Sequence, residues 1–583
     1  MKRRLPGTKG RADDRKFILL DFNLGDCGGH YHNYDRDTLS AAGRLGYVPV
    51  LLCSREASVT MSGCEVIPVF RYSMPETLGP PAWFVHLFGS SEPSVDAGRR
   101  NENDGVNRGT WLGVRLLRLA TAFQRRRCVR ALAEDTENAL RDMNAGAADI
   151  IFVPTVSSVE IAVLRLILAK KGPASRSDWH LLFHRNLDVT ERGGDIDRSD
   201  VSETCRLRRE LIQLRLFLRA FKIHLYTDTA ELAQQYSKFE SAPFRTLPIP
   251  HAAIMPGPRR DSVSPLTIIY AGDARREKGY HLLPGIVRAL WADYVACGRV
   301  IFSLQSNFNH SRGECGIGAA KYELQRYPSD KVRLIEGPLG STEYSDLLDS
   351  GDVNLLLYNR REYRSRSSGV LAESLCLGLP VVTFAGTWLS RQFIEAANAY
   401  LMEVASMGSR LEIASSPFEG GAGQSSKCAF SSVFRIPLRR DTDQVIVEIE
   451  FCSPGCAVVA QLRPFSGPFL MEAGSVSGRT FKLLQIARGQ SEATLTLRSP
   501  RGAERPLVRR VSVYLLSSKS HVSFRPPAGA VGTAAFGVSD VYSQIREIIE
   551  HHAHYKATAK EFSRGFSEQQ NGDELIRRLI AAD

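Results

Sequence analysis

At 583 residues the chain is too long for one hydrophobic core, and three or four domains are expected. Hydrophobic content of 43% and charged content of 24% are those of ordinary globular protein. The net charge of +12 favours an anionic partner: a nucleotide, a phosphorylated lipid, a membrane surface or a nucleic acid. For nucleic acid the charge stands alone, with no interleaved aromatic platform or reading motif beside it, so no nucleic-acid partner is expected.

Eleven cysteines are scattered singly, the closest pair being Cys452 and Cys456. There is no paired CxxC and no Cys/His set with zinc spacing, and the odd count argues against a complete disulfide framework. A reducing compartment fits this usage. The basic start MKRRLPGTKGRADDRK leads into FILLDF, too short for a signal core or a membrane span. The expectation is a cytoplasmic protein that can rest peripherally on the inner face of a membrane.

Residues 1–16 form a basic tail. From Phe17 the pattern alternates: a buried strand FILLDF, a glycine loop GDCGGH, a helical stretch NYDRDTLSAAGRLG, then the strand YVPVLLC. Further strands are predicted at 148–155, 180–184, 222–227 and 244–249, most of them separated by helices. Short apolar strands alternating with helices imply a parallel sheet covered on both faces. Residues 75–109, rich in Pro, Gly, Ser and Asn, interrupt this as a long mobile loop. The helix that follows has no acid between Trp111 and Arg130, so its arginines can meet a membrane or an anionic acceptor, or form a solvated face.

A first Rossmann-like domain over 17–254 and a proline-bearing linker at 255–265 lead to a second α/β series. This begins with LTIIYAGDARREKGYHLL and runs through RVIFSLQS, KVRLIEG and VNLLLYN over 266–407. Two such halves suggest an α/β fold of two Rossmann-like domains facing a cleft. Between 408 and 522 the texture changes to alternating stretches such as QVIVEIEF, AVVAQLRPF and RRVSVYLL, which read as an all-β sandwich. Helices resume over 523–583, so the sandwich is expected as an insertion in the second α/β domain. It lacks tryptophan and has one tyrosine, Tyr514, so a structural or partner-binding role is preferred to glycan binding.

The densest chemistry lies in YRSRSSGVLAESLCLGLPVVTFAGTW, residues 363–388. Ser367 and Ser368 are good N-cap residues, Gly378 suits a helix end, and Pro380 precedes a strand. The helix between is apolar nearly all round, so Glu373 is costly unless hydroxyls or cations satisfy it. The helix N-terminus suits phosphate, Arg364 and Arg366 can add charge-assisted hydrogen bonds, and Gly369 lets an anion approach the backbone. A carboxylate one turn further in can accept both hydroxyls of a ribose. Together these describe a nucleotide site.

These residues resemble the retaining glycosyltransferases of the GT-B fold, specifically the family-four group (glycosyl transferases group 1). That family has a strand, G-x-x-x-x-EKG and a helix, then E-A-x-x-x-G-x-PVV; here the stretches are YAGDARREKGYHLL at 270–283 and GVLAESLCLGLPVV at 369–382. Its glycine-rich loop is matched by Gly28 and Gly29, and its strand ending in histidine by His184. The RSSG turn with the following GTW is similar to a subgroup form. Two positions depart from the pattern. Asp273 stands where an arginine is common, so Arg275 or Arg276 takes over, and Ser365 replaces the first acid of E-x7-E.

The resemblance implies transfer of a hexose from a nucleoside diphosphate sugar to a glycan or lipid-linked acceptor with retention, in polysaccharide biosynthesis. Arg275 and Lys278, with the amides around Ser368 and Gly369, would stabilise the leaving diphosphate. His184 would touch the sugar or the acceptor. No cofactor and no metal is implied, since fixed cations and a helix dipole can replace one. Each residue also has a plainer reading: Lys278 as a solvated charge, Glu373 as an acid held by nearby backbone, His184 as a strand-end histidine with a structural partner. Gly28 and Gly29 could simply make a turn. The alternative function is a catalytically silent scaffold that binds glycan or nucleotide.

Overall fold

The computed structural model describes residues 15–24, 29–72, 108–187, 198–238, 243–251, 265–307, 316–418, 431–452, 456–466, 469–473, 478–487, 489–499, 508–517, 531–535 and 537–581. By its contacts the chain divides into two units. One comprises Met1–Thr227, Gln235–Leu247 and Leu575–Asp583; the other comprises Asp228–Gln234 and Pro248–Glu574.

The first unit is built on a parallel sheet of seven strands: β1 (Lys16–Leu20), β2 (Val48–Ser54), β3 (Glu65–Phe70), β4 (Ile150–Val153), β5 (Asp178–Phe183), β6 (Ile223–Thr227) and β7 (Arg245–Thr246). Their order is β3-β2-β1-β4-β5-β6-β7, so the chain winds outward from β1 and then returns to its other side. The four-residue run of β4 is wholly buried, as expected for a strand covered on both faces. Phe17, Leu19, Leu51, Phe152 and Leu182 share a core with Leu575, Ile576 and Leu579 from the chain's last helix, Gly572–Ile580.

Several boundaries move from the sequence expectation. The first helix begins at Gly29 and ends at Arg44, the arginine-rich helix extends over Arg108–Asp142, and the strand expected at 244–249 shrinks to two residues. Strand β3 was not expected, because only Phe70 at its end is buried and the rest is half-exposed or exposed without a period-two pattern. Most of the loop expected at 75–109 lies outside the described residues.

The second unit repeats the winding. Strands β8 (Leu266–Tyr270), β9 (Val300–Ser306), β10 (Val332–Glu336), β11 (Val353–Leu356), β12 (Val381–Phe384) and, far along the chain, β21 (Gly532–Ala535) form one parallel sheet in the order β10-β9-β8-β11-β12-β21. Between β12 and β21 lie eight strands in two antiparallel sheets. The first is β13 (Ser409–Phe418), β20 (Val508–Leu516), β15 (Gln444–Phe451) and β18 (Arg479–Gln485); the second is β14 (Ser431–Pro437), β19 (Glu492–Arg498), β16 (Ala457–Arg463) and β17 (Phe469–Glu472).

Val445, Val447, Ile449 and Phe451 of one sheet pack with Val458, Leu462, Leu495 and Leu497 of the other, which makes the β module a sandwich inserted within the second unit. Its other face is also covered, since Ile446, Phe481 and Leu516 meet Leu401, Val404 and Ala405 of helix Trp388–Ser406. Glu448, on that second face, is 2% exposed: Tyr514 donates to it at 2.7 Å, and Arg510 lies 3.5 Å away.

Candidate functional site

The loop after β8 owes its shape to two glycines. Gly272 has φ +118°, and its N–H donates to Gln305 Oε1 at 2.6 Å. Gly279 has φ +83°, and a Cβ there would lie 2.3 Å from the Leu357 carbonyl oxygen. Only glycine permits both the left-handed backbone and that approach. The loop is therefore pressed against the chain leaving β11, where the Asn359 N–H donates to the Glu277 carbonyl at 2.6 Å.

This contact gathers charge. Asp273 accepts from Asn307 Nδ2 at 3.0 Å and, through Oδ2, from Arg275 Nη2 at 2.9 Å. The acid standing where the resembled family has an arginine thus aims the neighbouring arginine. Arg275 Nη1 also lies 3.7 Å from Glu277 Oε1, while its buried Nε has no hydrogen-bond partner among the described residues. A buried donor left over in this way suits an acceptor that arrives with a ligand.

Burial lowers the pKa of Lys278, as does the positive charge of Arg275, although Asp273 and Glu277 oppose the shift. Burial works against the charge on Arg366 too, but Tyr363, Glu277 and Glu362 outweigh it and hold that pKa above its usual value. The guanidinium lies over the Tyr363 ring, 4.9 Å from its centroid, and 3.7 Å from Glu362. For Glu277 burial is outweighed by a hydrogen bond with Glu362 and by Arg366, Arg275 and Lys278, so its pKa is lowered. Loop 272–280 and turn 360–368 thus meet through three cations and their carboxylates.

The turn leads into helix Gly369–Leu377. Ser368, extended at φ −141°, accepts the Leu371 N–H on its side chain at 3.2 Å, and Gly378 closes the helix at φ +68°. The first amides of the helix have no acceptor within it, leaving a positive end for an anion. Glu373 is half-buried, and its Oε2 accepts from the Tyr344 phenol at 2.6 Å. Tyr344, on helix Ser341–Ser350, was not singled out in the sequence; it is the hydroxyl that makes this acid tolerable among apolar neighbours.

Ser365 is 3% exposed, and its carbonyl accepts from Thr229 Oγ1 at 2.6 Å. A carboxylate in its place would be buried there. The Ser367 hydroxyl donates to Asp228 Oδ2. Asp228 and Thr229 follow β6 in sequence but pack with the second unit, and no local pattern announces them. Arg364 is exposed; its carbonyl accepts from Arg391.

In the first unit, His184 follows β5 directly. Its Nε2 lies 2.7 Å from the Pro154 carbonyl, to which it donates. It has the structural partner that the plainer reading supplies. Gly28 lies outside the described residues, and Gly29 opens the first helix. After β1 the structure shows a buried pair that the sequence did not suggest, Asp21 and Asp35, 2% and 1% exposed. Burial raises both pKa values, Asp35 furthest, and the neighbouring charge of Asp21 raises Asp35 again.

On β5 and β6 of that sheet Asp178 Oδ1 lies 2.9 Å from His224 Nε2 and 3.5 Å from His180 Nε2. The two imidazoles stack with centroids 4.8 Å apart and planes 20° from parallel. Their in-plane lone pairs therefore do not converge on one point; the three groups lie at ion-pair distance, and His180 Nδ1 is 3.0 Å from the Tyr226 hydroxyl.

No protein-family model matches the chain, and no curated protein does. Among solved structures it is similar to a sucrose-phosphate synthase from Thermosynechococcus elongatus (12% identity, 64% of this chain and 81% of that one, TM-score 0.40). It is also similar to a trehalose-6-phosphate protein from E. coli bound with UDP-2-fluoro glucose (11%, 65% and 86%, 0.40) and to Anabaena HepE in complex with UDP-glucose (10%, 64% and 80%, 0.37). Likenesses this loose leave function to be read from the chain's own residues.

Proposed function

We propose that the protein is a retaining glycosyltransferase that takes a sugar from a nucleoside diphosphate sugar and passes it to a glycan or lipid-linked acceptor, in polysaccharide biosynthesis. One observation carries this: the loop holding Arg275 and Lys278 and the turn holding Arg366 meet at the N-terminus of a Ser368-capped helix whose second turn bears Glu373. Cations and helix amides suit a diphosphate, and an acid about a turn deeper suits a ribose diol.

In this reading the bond between sugar and phosphate breaks as charge grows on the leaving diphosphate. Lys278, Arg275 and the amides of Ser368 and Gly369 stabilise that charge, Arg364 and Arg366 hold the phosphates from the turn, and Glu277 and Glu362 release their cations to the incoming anion. Ser367 is committed to Asp228 and shapes the turn. His184 is assigned to contact with the sugar or the acceptor. The glycines at 28 and 29 are assigned to close approach of substrate at the first helix. The chemistry asks for no metal and no cofactor.

The test is a panel of UDP-, GDP- and ADP-sugars, read by thermal shift and by slow hydrolysis. One donor is expected to stabilise the protein and to be hydrolysed, and Lys278→Ala to abolish the hydrolysis. No stabilisation by any donor contradicts the proposal. A second reading, a silent scaffold, draws on Ser365 in place of an acid and on cations already paired; binding without hydrolysis would select it.

For the acceptor we infer peripheral contact with a membrane at its inner face, in a cytoplasmic protein. Leu119 and Phe123 are 62% and 71% exposed beside the exposed Arg126, Arg127 and Arg130; Ile212 and Leu216, on helix Arg198–Leu218, are 60% and 79% exposed beside Arg209, Arg215 and Arg219. Exposed apolar side chains among arginines suit an anionic lipid surface. Among the described residues no helix is long and apolar enough to cross a membrane. Co-sedimentation with anionic vesicles, lost in Phe123→Ser/Leu216→Ser, checks the contact.

A further inference from the structure

The donor site does not account for the tripeptide Gly386-Thr387-Trp388 or for the buried arginine that follows it. Thr387 caps helix Trp388–Ser406 by accepting the Ser390 N–H at 3.2 Å, and the Trp388 N–H donates to the Tyr363 carbonyl at 2.7 Å. One turn on, Arg391 is wholly buried. Its Nε donates to Glu231 Oε1 at 2.8 Å, its Nη1 to Glu472 Oε1 at 3.1 Å, and its Nη2 to the Arg364 carbonyl. Glu472 belongs to β17 of the inserted sandwich, is 3% exposed, and accepts from the Ser390 hydroxyl at 2.8 Å.

Turn 363–368 is therefore held, among other contacts, through the carbonyls of Tyr363, Arg364 and Ser365 and the hydroxyl of Ser367. Two of these holds, Thr229 and Asp228, come from the segment that also carries Glu231. A buried arginine between two carboxylates keeps its direction because each charge-assisted bond fixes one edge of the guanidinium. If one carboxylate is removed, the fork loses an edge, and with it the hold on the Arg364 carbonyl.

We propose that Glu472 is a positioning residue for the phosphate turn, acting through Arg391, so that the inserted sandwich sets the geometry of the donor site rather than merely decorating the second unit. The functional meaning of this coupling rests on the donor reading above; the coupling itself does not. It also gives the insertion a reason to return its chain to β21 beside β12, since β17 must reach the helix that follows β12.

The experiment uses the full chain. Hydrogen exchange is measured on the amides of 363–369 without ligand, and calorimetry follows with whichever of UDP, GDP or ADP binds the wild type. Glu472→Gln keeps shape and removes charge. It is expected to speed exchange at the turn and to weaken nucleotide binding, each by ~10-fold, the worth of one hydrogen bond to a charged group. Glu472→Asp, which restores the charge, is expected to recover part of both. If Glu472→Gln does not fold, Ser390→Ala loosens the same carboxylate while leaving the ion pair, and roughly threefold faster exchange is expected. Unchanged exchange at 363–369 in a folded variant, or faster exchange confined to the sandwich, overturns the coupling. Faster exchange at the turn in a protein that binds no nucleoside diphosphate upholds the coupling and overturns the donor reading instead.

Discussion

The two parallel sheets wind identically, yet the helix after the fourth strand of each is used differently. After β4, Ser157 caps helix Ser158–Ala169, and Glu160 closes a capping box by accepting the Ser157 N–H at 2.7 Å. Glu160 is 3% exposed, and burial pushes its carboxyl up to about 7 against the hydrogen bonds from Ser157. After β11, Ser368 caps the equivalent helix, but Glu373 stands two residues deeper, outside the box, and accepts from the Tyr344 phenol. In one crest the acid completes the helix and approaches neutrality. In the other it stands away from the helix end and completes no box. The position of one carboxylate thus separates a junction sealed by its own acid from one that, in the proposed donor reading, takes the phosphate.

The comparison breaks most sharply at Lys278. Lys278→Ala is expected to lower the transfer rate by about 100- to 1000-fold, about 3–4 kcal/mol of barrier, with a smaller loss of donor affinity. Steady-state kinetics on the donor identified by the panel checks this; an undiminished rate removes the lysine from the mechanism.

The sealed crest is tested by pH. Glu160 has a folded pKa raised from 4.5 to about 7, so its contribution is fully present below about pH 4.5 and is lost as pH rises through about 7. The first unit should therefore be less stable at pH 8 than at pH 5, by on the order of 3 kcal/mol from this group. Asp21 and Asp35 act in the same sense. Glu160→Gln, which keeps the acceptor, should flatten much of the slope when core amides of β1 and β4 are followed by hydrogen exchange. A slope unchanged by the substitution contradicts the assignment.

Glu373→Ala is expected to weaken nucleoside diphosphate binding about tenfold, near the worth of one charge-assisted hydrogen bond, and to leave the fold intact. Unchanged calorimetry removes the ribose role. Tyr344→Phe should have the smallest effect, about threefold weaker binding, because it leaves the carboxylate in place and removes one orienting bond.

Much of this was legible in the sequence. Apolar runs such as IIFV and VVTF are buried strands because both faces of each sheet are covered, and the serine and glycine at 368 and 378 bound their helix. The approach of Gly279 to Leu357 gives the EKG glycine its physical reason. What stayed hidden depends on distance along the chain or on weak pattern. Strand β3 buries one side chain. Arg391 and Glu472 are 81 residues apart, and Asp228 meets Ser367 across 139. No local spacing encodes such pairs. The pairing of Arg366 with Glu362 and the setting of Glu277 among Arg366, Arg275 and Lys278 were likewise not announced by residue type, since a buried charge takes whichever partner the fold brings near.

A structure determined with UDP, GDP or ADP, whichever stabilises the protein most, addresses the pocket directly. The diphosphate should lie on the amides of 368 and 369 within hydrogen-bond reach of Lys278 and the Arg275 Nε, with the ribose hydroxyls on Glu373. A nucleotide bound elsewhere, or one that leaves Arg275 on Asp273 and Glu277, would contradict it.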